Sequence, residues 1–66
     1  MGINQEQLRC IRREMMMTQG QMAAVLHIAR RTYQYYESLE HKMPRGLLDL
    51  LEFRYRQISE LIAEQK

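Results

Sequence analysis

The stretch Thr18–Glu37, TQGQMAAVLHIARRTYQYYE, decides how this chain folds. It opens with Thr18-Gln19-Gly20-Gln21, a capping box: the Thr18 hydroxyl accepts from the N–H near Gln21 while the Gln21 side chain reaches back, so a helix starts here. Met22, Ala23, Val25 and Leu26 form its apolar side, and Ala23 is small enough to let another helix approach closely. The helix is short, because the next apolar rhythm begins a few residues later in a different phase. That rhythm predicts a following helix from about Ala29 to Ser38, which buries Tyr33 and Tyr36 and turns Arg30, Arg31, Gln34 and Tyr35 outward.

Upstream, Asn4 is placed to cap a first helix with Gln7 as its reciprocal partner, and Leu8, Ile11 and Met15 then share one face. Arg9, Arg12 and Arg13 flank that stripe. The helix is expected to fray among Met15, Met16 and Met17, whose flexible thioethers suit irregular gaps in or beside a core. Downstream, residues Glu37 to Met43 read as a polar connection, closed by Pro44 at the first turn of the next element. From Arg45 to about Glu64 the chain reads as one long helix or two shorter ones. Leu48, Leu51, Tyr55, Ile58 and Ile62 are spaced three, four, three, four, which is heptad spacing. Leu47, Leu50, Phe53 and Leu61 widen the apolar face of the first half, leaving a narrower stripe toward the end.

Apolar residues recur at threes and fours throughout, with three glycines and one proline, and strands find little support. The expectation is an all-α, compact four- to five-helix domain spanning residues 1–66, its last helix extended. A chain of 66 residues buries only about 60% of the surface exposed when unfolded, which favours a recognition surface over a deep catalytic cleft. Paired carboxylates, a nucleophile with its base and a phosphate loop are all missing from the sequence, so an enzyme is not expected. The lone Cys10 has no partner for a disulfide, and neither it nor His27 or His41 has ligand spacing for a metal. No cofactor or small-molecule effector is implied. A reducing cytoplasm suits this usage, and no apolar run approaches membrane-spanning length.

The net charge of +2 conceals an uneven distribution. From Gln7 to Tyr36 five arginines face one glutamate, a net +4, whereas from Glu37 onward five bases face six acids, a net −1. The first part suits a polyanion; the second suits a solvated helix surface.

With these residues in view, Thr18–Glu37 resembles the helix-turn-helix of the Cro-type, Xre-like family of phage repressors, in which threonine or serine followed by glutamine opens the first helix of the motif. The buried positions of that family fall on Met22, Leu26, Ile28, Tyr33 and Tyr36, and its small residue at the helix crossing falls on Ala23. Arg12 and Glu37 match a structural ion pair that ties the first helix to the third. Pro44 matches a proline that often precedes the fourth. The likeness covers about Leu8 to Leu50, with the motif itself at about residues 18–38. Three residues depart from the pattern: His27 replaces the turn glycine, Ala29 replaces the capping serine or threonine, and Leu39 stands where a glycine commonly follows the recognition helix.

What the resemblance implies is binding of double-stranded DNA. An α-helix fits the major groove with its N-terminal residues nearest the base edges. Arg30, Arg31, Gln34 and Tyr35 are then the expected base contacts, and Gln19, Thr32, Lys42 and Arg45 the expected phosphate contacts. One such helix reads few base pairs, so a homodimer on an inverted-repeat operator is expected, with Tyr55, Ile58, Leu61 and Ile62 at its interface. The function implied is a small repressor or autorepressor of the kind that phages and mobile elements carry, and Tyr33–Ser38 is also loosely similar to anti-CRISPR-associated autorepressors. A protein-binding inhibitor or adaptor, an antitoxin-like module and an RNA binder use the same kind of fold and remain open.

Overall fold

A computed structural model describes residues 2–64, with the side chains of Ile62 and Glu64 left undescribed. A 3₁₀ turn at Gln5–Gln7 leads into α1 (Leu8–Glu14), followed by α2 (Gln19–Val25), α3 (Arg30–Glu37) and a single long α4 (Arg45–Glu64). The described residues contain no strand. The start of each element follows from local chemistry. At Asn4 the backbone N–H donates to Gln7 Oε1 at 3.0 Å, and at Thr18 both halves of the box close, with Gln21 N–H to Thr18 Oγ1 at 3.1 Å and Thr18 N–H to Gln21 Oε1 at 2.9 Å. Pro44 lies immediately before α4, where its carbonyl accepts from the N–H groups of Leu47 and Leu48.

The ends of the first three helices share one device. After α1, Met16 N–H donates to Arg13 O and Met17 N–H to Arg12 O; after α2, His27 donates to Ala24 and Ile28 to Ala23; after α3, Leu39 donates to Tyr36 and Glu40 to Tyr35. This is the paired bonding of a Schellman cap, which needs one residue in the left-handed region. Here Met16, His27 and Leu39 occupy it at φ 58°, 58° and 66°, where glycine would be unstrained. His27 and Leu39, the positions where glycine is expected from the resemblance, thus hold the backbone geometry that glycine adopts without strain.

The core gathers Leu8, Ile11 and Met15 from α1 and its end, Met22, Ala23 and Leu26 from α2 and its cap, Tyr33 from α3, and Leu48 and Leu51 from α4. Ile28, Tyr36, Leu47 and Leu50 pack against it, half-buried. α2 packs chiefly on α3, and Ala23 is almost wholly buried. Two expectations need correction. Met43, assigned to a polar connection, is buried at 2% exposure, because the loop after α3 is drawn onto the core and Met43 turns inward while Leu39 stays exposed. Among the three methionines only Met15 is core; Met17 is half-buried, and Met16, turned outward by its left-handed backbone, is 84% exposed.

Candidate nucleic-acid interface

The outer face of α3 is built from behind by one ion-pair cluster. Glu37, its carboxylate only 2% exposed, receives Arg12 in a forked pair, Nε to Oε2 at 2.9 Å and Nη2 to Oε1 at 3.1 Å, while Arg9 approaches at 3.5 Å. Arg12 also donates to Met17 O at 3.3 Å, so one guanidinium joins α1, the turn after it and α3. Burial alone would raise the Glu37 pKa, but the hydrogen bonds from Arg12 and Gln19 and the charge of Arg12 outweigh it and hold the carboxyl down at about 2. Tyr33 completes the rear of the helix. Burial, and then the Glu37 carboxylate, push its phenol above its ordinary value, and its hydroxyl makes no hydrogen bond of good geometry among the described residues.

On this support the first turn of α3 presents Arg30 and Arg31, both exposed and neither in an ion pair or side-chain hydrogen bond among the described residues. Thr32 and Gln34 follow, half-buried. Gln34 Nε2 donates to Gln19 Oε1 and Gln19 Nε2 donates to Glu37 Oε1, each at 3.2 Å. An ionised carboxylate only accepts, which sets the direction of the whole chain: both amides must turn their nitrogens toward Glu37. Gln19, expected at a phosphate, therefore has its side chain engaged inside the protein. At the start of α2 the Gln21 N–H is capped by Thr18, while the backbone N–H groups of Gln19 and Gly20 have no acceptor among the described residues.

Tyr35 is half-buried, and its ring meets His41 edge-on with centroids 4.8 Å apart. Its carbonyl holds the following loop, accepting from Glu40 N–H, His41 N–H and the Ser38 hydroxyl. Lys42 and Arg45 are exposed, with Arg45 3.4 Å from Asp49 in a solvent-facing pair of little energetic weight.

Three features escaped the sequence reading. Arg9 and Arg13 from α1 and Arg30 from α3 line a common cleft of about 730 Å³ beside Thr18 and Gly20, with Arg12 and Glu37 also among its walls. Arginines up to 21 positions apart thereby become one basic surface. Arg9, Arg12 and Arg13 were visible as flanks of a helix stripe, but nothing in that spacing joins them to Arg30. Gln5 clamps the loop after α3: its Nε2 donates to Tyr36 O at 2.9 Å and His41 O at 2.6 Å, and its Oε1 accepts from Met43 N–H at 2.8 Å. Tyr55 donates its hydroxyl to the Glu14 carboxylate, which raises the phenol above its ordinary value.

That last contact bears on the expected dimer interface. Tyr55 and Ile58 are half-buried against the domain's own core, Leu61 is 57% exposed, and the side chain of Ile62 lies outside the described residues. The heptad stripe thus folds back on its own domain as far as Ile58. No group of three metal-ligating side chains occurs among the described residues, and no described helix is long and apolar enough to cross a membrane. In comparisons with protein-family models, curated proteins and solved structures, nothing matches this chain.

Proposed function

We propose that this chain is a sequence-selective reader of double-stranded DNA, acting in the cytoplasm as a small dimeric repressor or autorepressor of a phage or mobile-element operon. The observation that carries the reading is the pair Arg30 and Arg31 on the first turn of α3, exposed and unpartnered among the described residues, next to a cleft lined by arginines from α1. In a major groove, each guanidinium is able to fork onto guanine O6 and N7. Gln34 keeps its carbonyl oxygen and one N–H for a neighbouring base while its other N–H holds Gln19. The cleft arginines and the backbone N–H groups of Gln19 and Gly20 then take the sugar-phosphate backbone, with Thr32, Lys42 and Arg45 as flanking contacts. Repression follows from occupancy of an inverted repeat, with no effector domain required.

The test is binding to duplex fragments of the chain's own promoter, compared with scrambled duplex and hairpin RNA. Replacing Arg30 and Arg31 together by alanine should abolish selective binding, a loss of about 1 to 3 kcal/mol for each guanine contact, with helicity and association state unchanged. Affinity for any duplex should fall steeply with salt. Unchanged promoter affinity in the double variant, or binding that ignores salt, overturns the reading and favours an apolar protein partner.

A further inference from the structure

Two large apolar side chains that the fold leaves in solvent, Phe53 and Leu61, lie eight residues apart on α4 and are each 57% exposed. Positions four and eight apart share a helix face, so Gln57 stands midway between them on that face. Arg54 and Glu60 stand three residues to either side of Gln57. Neither is in an ion pair among the described residues, and Arg54 donates only to the Gln57 amide oxygen at 3.3 Å. Beside this face α4 and the end of α2 enclose a groove of about 590 Å³, lined by Ala24, Val25, Ile58 and Leu61 together with Arg54 and Glu60.

We propose that this face is where a second copy of the chain docks, with the two α4 helices antiparallel and the two-fold axis beside Gln57. In that register a residue before Gln57 stands level with the residue equally far beyond it in the other copy. Phe53 then meets the level of Leu61, and Arg54 the level of Glu60: one centre matches apolar with apolar and base with acid. A two-fold interface requires such a self-complementary patch. A parallel pairing would instead set Arg54 against Arg54 and Glu60 against Glu60, so charge selects the antiparallel arrangement. The stripe through Tyr55 is already used within the domain, and the Gln57 face lies on the opposite, exposed side of α4, available for association.

This inference deepens the reading of the chain as a two-headed DNA binder and takes from it the need for a two-fold dimer. Its test contains no DNA, so the two fail separately. With Cys10→Ser as background, Gln57→Cys should give a disulfide-linked dimer on mild oxidation, because a residue beside the axis meets its own copy. Ser59→Cys, exposed and two residues farther round the helix, should not. In sedimentation equilibrium, Arg54→Glu should raise the dimer dissociation constant about tenfold or more through like-charge contact with Glu60. Combining it with Glu60→Arg should restore association, a rescue that loss of folding does not produce. A monomer at every concentration, equal cross-linking of both cysteine variants, or a double reversal no better than the single one overturns the proposal.

Discussion

Met16, His27 and Leu39 each hold a left-handed backbone with a side chain attached, which costs about 1 to 2 kcal/mol per residue relative to the right-handed region. Glycine removes that cost but loses about 0.5 to 1 kcal/mol through the greater freedom of the unfolded chain. Met16 is the clearest case because at 84% exposure its side chain contributes almost no packing. Met16→Gly should therefore stabilise the protein by roughly 0.5 to 1 kcal/mol, read as a higher midpoint in thermal melts by circular dichroism. A lower midpoint would mean that the methionine packs in solution. At His27 the family likeness marked the missing glycine, whereas Met16 carried no such mark: methionine is a good helix former, and only the bonds from Met16 and Met17 to the carbonyls behind them reveal a cap.

At the scale of the element, α3 is held more firmly by its far end than by its start. Glu37 ties its last turn to α1, while Ala29, in the extended N-cap conformation at φ −68° and ψ 147°, makes no side-chain cap bond. Ala29 is exposed, so nothing obstructs a hydroxyl there. Ala29→Ser should add about 1 kcal/mol of stability, measured by chemical denaturation with an unchanged slope. No gain would indicate that the serine side chain does not reach the free N–H groups of the first turn. The boundaries of this helix were readable within a residue, because an apolar rhythm and a lost cap are properties of neighbouring positions. The commitment of Gln19 and Gln34 to each other was not readable, since 15 residues and a turn separate them.

For the whole molecule, the Arg12–Glu37 pair joins α1 to α3, and its protonation is a global stability term. Glu37 is held at about 2 against an ordinary value of 4.5, so the folded state favours the ionised form. The contribution is present in full above about pH 4.5, declines as the pH falls toward 2, and is gone below it. Glu37→Gln should cost about 3 kcal/mol at neutral pH, toward the lower end for a buried pair because Arg12 keeps 18% exposure. The gap in melting temperature between this variant and the wild-type chain should narrow as pH falls through that window. A gap independent of pH would show that the loss comes from packing rather than charge. A radius of gyration of 11.5 Å and a longest extent of 37 Å describe a small body drawn out by the 20-residue α4.

By itself the sequence determined the all-α class, the caps at Asn4 and Thr18 and the inward faces of the helices, since caps act within four residues and burial recurs every three or four; the single α4 and the 3₁₀ turn before α1 came from the structure. The Arg12–Glu37 pair was legible only through a family likeness. Tertiary structure alone decided that Gln5 clamps a loop more than 30 positions away, that Met43 turns inward, that Tyr55 donates to Glu14 of its own chain, and that Arg9, Arg13 and Arg30 surround one cleft. Such contacts leave no period or spacing in the chain, because they are set by how the packed helices cross in space.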